Sequence, residues 1–196
     1  MGKGRLEAFS DGVIAILITI MVLEIKVPEG HTLADLGSIA PYLAAYVMSF
    51  IYLGIYWNNH HHLIQAVKQV NGRILWANLH LLFWLSLVPV GTLWMGESHF
   101  ERTPVAIYGM LLLGAAVAYY ILARSLVKHH GENSTIAAAL GADFKGKISI
   151  VIYVIAMALA FFVHPLAATA LHAMVAIMWL VPDTRIERIL VSGEAS

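Results

Sequence analysis

Arg5-Leu6-Glu7-Ala8-Phe9-Ser10-Asp11-Gly12-Val13-Ile14-Ala15-Ile16-Leu17-Ile18-Thr19 opens an apolar run that continues to Val27 and stops at Pro28. A spanning helix takes about 20 residues, and the core of a signal peptide is shorter, so this stretch reads as a retained first membrane span. Five further apolar segments follow at about 36–62, 74–95, 104–127, 148–163 and 166–181. Pro104 suits a first helical turn, His164-Pro165 separates the fifth and sixth segments, and Pro182-Asp183 ends the sixth. One real loop is expected, from His129 to Lys147. The chain therefore reads as an all-α membrane protein, one six-helix transmembrane domain over 1–196.

Composition agrees. Apolar and aromatic residues make up 60% of the 196, and only 12% are charged, against roughly 25% in soluble domains. Six spans need about 120 residues, close to that apolar share. A soluble chain of this size buries only about 70% of its unfolded surface, too little to hide so much hydrocarbon. Net charge is zero and cysteine is absent. A basic nucleic-acid surface, disulfides and thiolate chemistry are thus excluded.

Lysine and arginine set the orientation. With the N-terminus inside, Lys3, Arg5, Lys68, Arg73, Arg124, Lys128, Lys145, Lys147, Arg185 and Arg188 fall on the inner side; Lys26 and Arg102 fall outside. This asymmetry predicts that both termini are cytoplasmic, and the chain is read as a multi-pass protein of the cell (plasma) membrane.

Few residues invite chemistry. Asp11 lies near the inner end of the first span, where a carboxylate is costly. Ser10 or Asp11 is expected to cap the helix, and a compatible second reading has Asp11 anchoring a polar cluster between helices. Partners at matching depth are Trp57, Asn58, Asn59, His60, His61 and His62 on the second span and Trp76, Asn78 and His80 on the third. Three consecutive histidines do not share a helix face, so a metal site is not expected. His164 and His172 are expected to be hydrogen-bonded. Motifs for nucleophilic catalysis, zinc hydrolysis or phosphate binding are missing, so neither enzyme activity nor a cofactor is expected. Ile16, Ile20 and Leu23 share a face beside Thr19. On spacing alone this stripe reads first as a surface for lipid or a neighbouring helix. Leu112 is expected to face lipid.

The Arg5-xxx-Phe9-Ser10-Asp11 element followed by an Ile/Thr-rich span resembles the family of the endosomal and lysosomal potassium channel, transmembrane protein 175, particularly its short bacterial members. Trp57-xx-His60, Asn78 with Pro89, and Trp179-Leu180-Val181-Pro182-Asp183 extend the likeness. The resemblance implies a homotetramer of six-helix subunits, with the first helix of each lining a central pore. It implies a potassium-preferring cation channel, with some proton leak and potassium as the conducted ion. It places an aliphatic constriction on Ile16, Ile20 and Leu23, with Thr19 as a hydroxyl layer. It also places an inter-helix latch on Arg5, Phe9, Ser10, Asp11, Trp57, His60 and Asn78. The adjacent His61 and His62 depart from the pattern. The implied partners are further copies of the chain and the lipid bilayer. The alternatives are a non-conducting polytopic scaffold or transporter subunit, and a His-based membrane metalloenzyme.

Overall fold

A computed structural model describes residues 2–67, 69–131, 134–140 and 143–180. The described residues form helices and no strands: α1 (Lys3–Leu23), α2 (Ala40–Gln65), α3 (Gly72–Ser86), α4 (Val88–Glu97), α5 (Arg102–His130), α6 (Thr135–Leu140), α7 (Phe144–Phe162) and α8 (Pro165–Leu180). A 3₁₀ turn, Leu33–Ser38, leads into α2. Lys68, Arg185, Arg188 and the Val181-Pro182-Asp183 stop lie outside the described residues.

Five helical stretches are long and apolar enough to cross a membrane: Lys3–Leu23, Ala40–Gln65, Gly72–Glu97, Arg102–His130 and Phe144–Phe162. The protein is thus a multi-pass helical membrane protein. The described part of α8 has 16 residues, about 24 Å at 1.5 Å per residue, less than a hydrocarbon core of about 30 Å.

Packing explains where the sequence reading needs correction. α1 begins at Lys3 with Gly2 at its N-cap and no side-chain cap. Ser10 and Asp11 sit two turns inside the helix, so neither caps it. The third span is two helices, because Pro89 stands in the first turn of α4. Proline has no N–H for the carbonyl four residues back and its ring crowds that carbonyl, so the ladder breaks at Leu87. Much of the expected loop at 129–147 is helical, taken up by the end of α5, by α6 and by the start of α7.

α5 is the central helix, packed against α3, α4, α7 and α8. It buries Ala106, Tyr108, Leu112, Ala115, Ala118, Leu122 and Leu126. Leu112 is 0% exposed, so it faces the core and not lipid. Small residues bring neighbours close. At Gly114 a Cβ would stand 2.3 Å from the Trp84 ring, so only glycine lets α3 approach there.

The helix ends interlock. Lys3 Nζ donates to the carbonyls of Gln65 and Val67, both at 3.1 Å, closing the end of α2 with a cation. Asn71 Nδ2 meets His129 Nδ1 at 3.1 Å, tying the start of α3 to the end of α5. Trp179 Nε1 donates to Ser149 Oγ at 2.9 Å, tying the end of α8 to the start of α7.

Candidate functional site

α1 has two faces of different chemistry. Leu6, Ser10, Ile14, Leu17 and Met21 are buried at spacings of three and four, one side of a 3.6-residue period. Phe9, Ile16, Ile20 and Leu23 lie on the other side, 53%, 57%, 41% and 80% exposed. Thr19 stands beside them, its hydroxyl donating to Ile16 O at 2.8 Å. Its oxygen still has acceptor capacity facing outward.

On the buried face three expected latch residues meet. Asn78 Nδ2 donates to Ser10 Oγ at 2.9 Å, and Ser10 Oγ donates to Leu6 O at 2.8 Å. Asn78 Oδ1 lies 2.7 Å from His60 Nε2. An amide oxygen only accepts, so His60 carries its proton on Nε2. This chain of bonds joins α1, α3 and α2, and all three residues are 0% exposed.

The other latch residues are not in that chain of bonds. Arg5, Phe9 and Trp57 are exposed. Asp11 is half-buried, and its Oδ1 has no hydrogen-bond partner among the described residues. His60 Nδ1 and His62 Nδ1 are likewise unpartnered. Buried polar atoms are almost always bonded, so these three atoms at the α1–α2 junction stand out among the described residues.

Several contacts escaped the sequence reading. His61 Nδ1 lies 3.0 Å from Glu7 Oε1. The signal was Glu7 at the inner end of the first span, at the depth of the extra histidines. In the core a second set of hydroxyls meets: Tyr108 OH lies 2.9 Å from Ser49 Oγ, Ser49 Oγ lies 2.6 Å from Thr92 Oγ1, and Thr92 Oγ1 donates to Val88 O (2.8 Å). Tyr52 OH donates to His172 O at 2.6 Å, and both ring nitrogens of His172 have no hydrogen-bond partner among the described residues. His172 is thus hydrogen-bonded through its carbonyl, and Tyr108 and Tyr153 pack around its ring. His164 Nδ1 accepts from Leu166 N at 3.2 Å. Among the described residues no three of His, Asp and Glu converge in a metal-binding group.

Known proteins share this architecture. The family described as "Endosomal/lysosomal potassium channel TMEM175" matches residues 5–89, which hold α1, α2, α3 and the start of α4. A protein of Chryseobacterium sp. (strain P1-3) named a potassium channel is 58% identical over 190 residues, covering 97% of this chain and 98% of its own length. The mouse (Mus musculus) protein named endosomal/lysosomal proton channel TMEM175 is 36% identical over 119 residues, 53% of this chain and 23% of that one. The crystal structure of a lysosomal potassium-selective channel TMEM175 homolog from Chamaesiphon minutus superposes with a TM-score of 0.79 at 28% identity, covering 91% of this chain and 96% of that chain.

Proposed function

The chain belongs to the TMEM175 potassium channel family, and from that premise we propose that it forms a potassium-preferring cation channel in the plasma membrane, a homotetramer of six-span subunits with both termini cytoplasmic. The observation that carries the proposal is the bare aliphatic strip of α1. Ile16 and Leu23 are 57% and 80% exposed on a helix whose opposite face is fully packed. The end-to-end likeness to a bacterial protein named a potassium channel supports it.

One strip cannot enclose a pore. Closed symmetry around an axis is the usual solution, and four copies of α1 make a narrow conduit. Ile16, Ile20 and Leu23 then stack as three aliphatic rings, about 6 Å and about 4.5 Å apart at 1.5 Å per residue. Such rings stop ions by dewetting, since nothing replaces the lost hydration. When they widen they favour potassium, which sheds water at lower cost than sodium. Thr19 supplies hydroxyl oxygens at the same level. Arg5, Phe9 and Trp57, exposed on one chain, meet the unpartnered Asp11 and His62 of an adjacent copy and complete the latch.

The test pairs mass with flux. Purified protein in mild detergent is expected at four times the chain mass, and the same preparation in liposomes is expected to pass potassium faster than sodium. A persistent monomer, or a tetramer that passes neither ion, overturns the reading in favour of a non-conducting scaffold.

A further inference from the structure

α1 ends on a residue that works against its own helix. Glu24 is the C-cap, in the right-handed helical conformation (φ −79°, ψ −10°), and its N–H still donates to Ile20 O at 3.3 Å. The negative end of the helix dipole lies there, so a carboxylate is repelled and a cation is favoured. Nothing nearby offsets the repulsion. The Glu24 side chain is exposed and forms no hydrogen bond or ion pair among the described residues; Lys26, two residues on, is exposed as well. A local rule broken without compensation is a mark of a functional position.

Its position says which function. Ile16, Ile20 and Glu24 follow one another at spacings of four, one row of the helix surface. Glu24 stands about 6 Å beyond Ile20 at 1.5 Å per residue. From Phe9 to Leu23 every exposed residue of α1 is uncharged. The bare aliphatic strip therefore runs directly into a single negative charge at its far end.

We infer that Glu24 gathers cations at the mouth of the conduit, the outer mouth in the proposed orientation; the inference rests on the conduit reading given above. Four copies of α1 set four carboxylates and four negative helix ends around the axis, just beyond the Leu23 ring. Charge of one sign at an entrance with low-dielectric walls raises the local concentration of small cations and lowers that of anions. Glu24 acts through this field and holds no dehydrated ion. It governs how fast cations are supplied, while the choice between potassium and sodium stays with the rings below.

The test is single-channel current of the purified protein in a planar bilayer of uncharged phosphatidylcholine. It is read in potassium chloride at about 10 mM and at about 1 M, where the screening length is about 30 Å and about 3 Å. Glu24→Gln is expected to lower the conductance about threefold at the low concentration, and Glu24→Lys to lower it further. At the high concentration Glu24→Gln and the parent are expected to converge. Glu101→Gln removes an equal charge from the start of α5, which does not pack closely against α1, and is expected to change the low-salt conductance much less. The ratio of potassium to sodium permeability is expected to be the same in parent and Glu24→Gln. The thermal unfolding temperature of Glu24→Gln is expected to equal or exceed the parental one, since the helix end loses a repulsion. Equal low-salt conductance of parent and Glu24→Gln, a deficit that persists at high salt, or an equal fall in Glu101→Gln overturns the inference while conduction by the parent stands. A parent that passes no current overturns the conduit itself, and this inference with it.

Discussion

Ser10 and Asp11 are neighbours with opposite situations. Ser10 is bonded twice inside the subunit, to Leu6 O and Asn78, while Asp11 Oδ1 has no partner there. Removing Asn78 leaves His60 Nε2 and Ser10 Oγ short of a buried partner, at about 1–3 kcal/mol each. Asn78→Ala is therefore expected to lower the thermal unfolding temperature of the detergent-solubilised protein strongly, and Ser10→Ala to lower it less. In the proposed assembly, where the partner of Asp11 is placed on another copy, Asp11→Ala is expected to leave subunit unfolding nearly unchanged and to shift the mass from tetramer toward monomer. If instead Asp11→Ala unfolds like Asn78→Ala with assembly intact, the carboxylate serves its own subunit. The sequence placed all of these residues at one depth, which is why the latch was legible as a cluster. It did not show which of them bond, because a helical wheel fixes direction and not the reach of a neighbour's side chain.

At the scale of the element, Asp143 starts α7. It sits at φ 45°, ψ 48°, left-handed, and its carboxylate accepts from Gly146 N. Burial pushes its pKa up from the ordinary value of 3.8, against the opposing pull of the Gly146 N–H, Lys147 and Arg124. A carboxyl raised on folding contributes stability that is present below its unfolded pKa and lost as pH rises through the folded one. The wild type should therefore lose some stability as pH rises from about 4, and Asp143→Asn should flatten that dependence. Asparagine also caps and also tolerates the left-handed region, so Asp143→Asn should unfold at or above the wild-type temperature at neutral pH. Asp143→Ala loses the cap, worth about 1 kcal/mol, and meets backbone strain as well. A pH series of unfolding temperatures for the three proteins decides this.

α5 shows where patterning runs out. α1, α2, α5 and α7 were legible as spans because each is a long apolar run bounded by charge or proline. Which way α5 faces was not: it is apolar around most of its circumference, so period carries no direction, and Leu112 was misplaced on the lipid side while it is fully buried. The break at Leu87 was signalled by Pro89, which reads equally as a kink within one span or as a boundary between two helices.

For the whole molecule, the decisive question is whether the exposed strip of α1 lines a conduit. Ile16 and Leu23 can be made polar without touching the packed face of Leu6, Ser10, Ile14, Leu17 and Met21. If four copies stack these side chains as rings, Ile16→Asn or Leu23→Asn hydrates the constriction, removes the dewetting barrier and supplies amide oxygens to any cation. Flux should rise and the preference for potassium over sodium should shrink. Thr19→Ala should lower selectivity with the tetramer intact, since the hydroxyl's one donated bond is to its own helix. The control is Val154→Asn, 53% exposed on α7, a helix that does not pack closely against α1; it should change neither quantity. Each variant is first weighed as an assembly and then reconstituted for parallel potassium and sodium flux. Should Ile16→Asn and Leu23→Asn assemble as the parent does and conduct both ions at parental rates and ratio, the strip faces lipid or another helix, and the conducting path has to be sought elsewhere in the molecule.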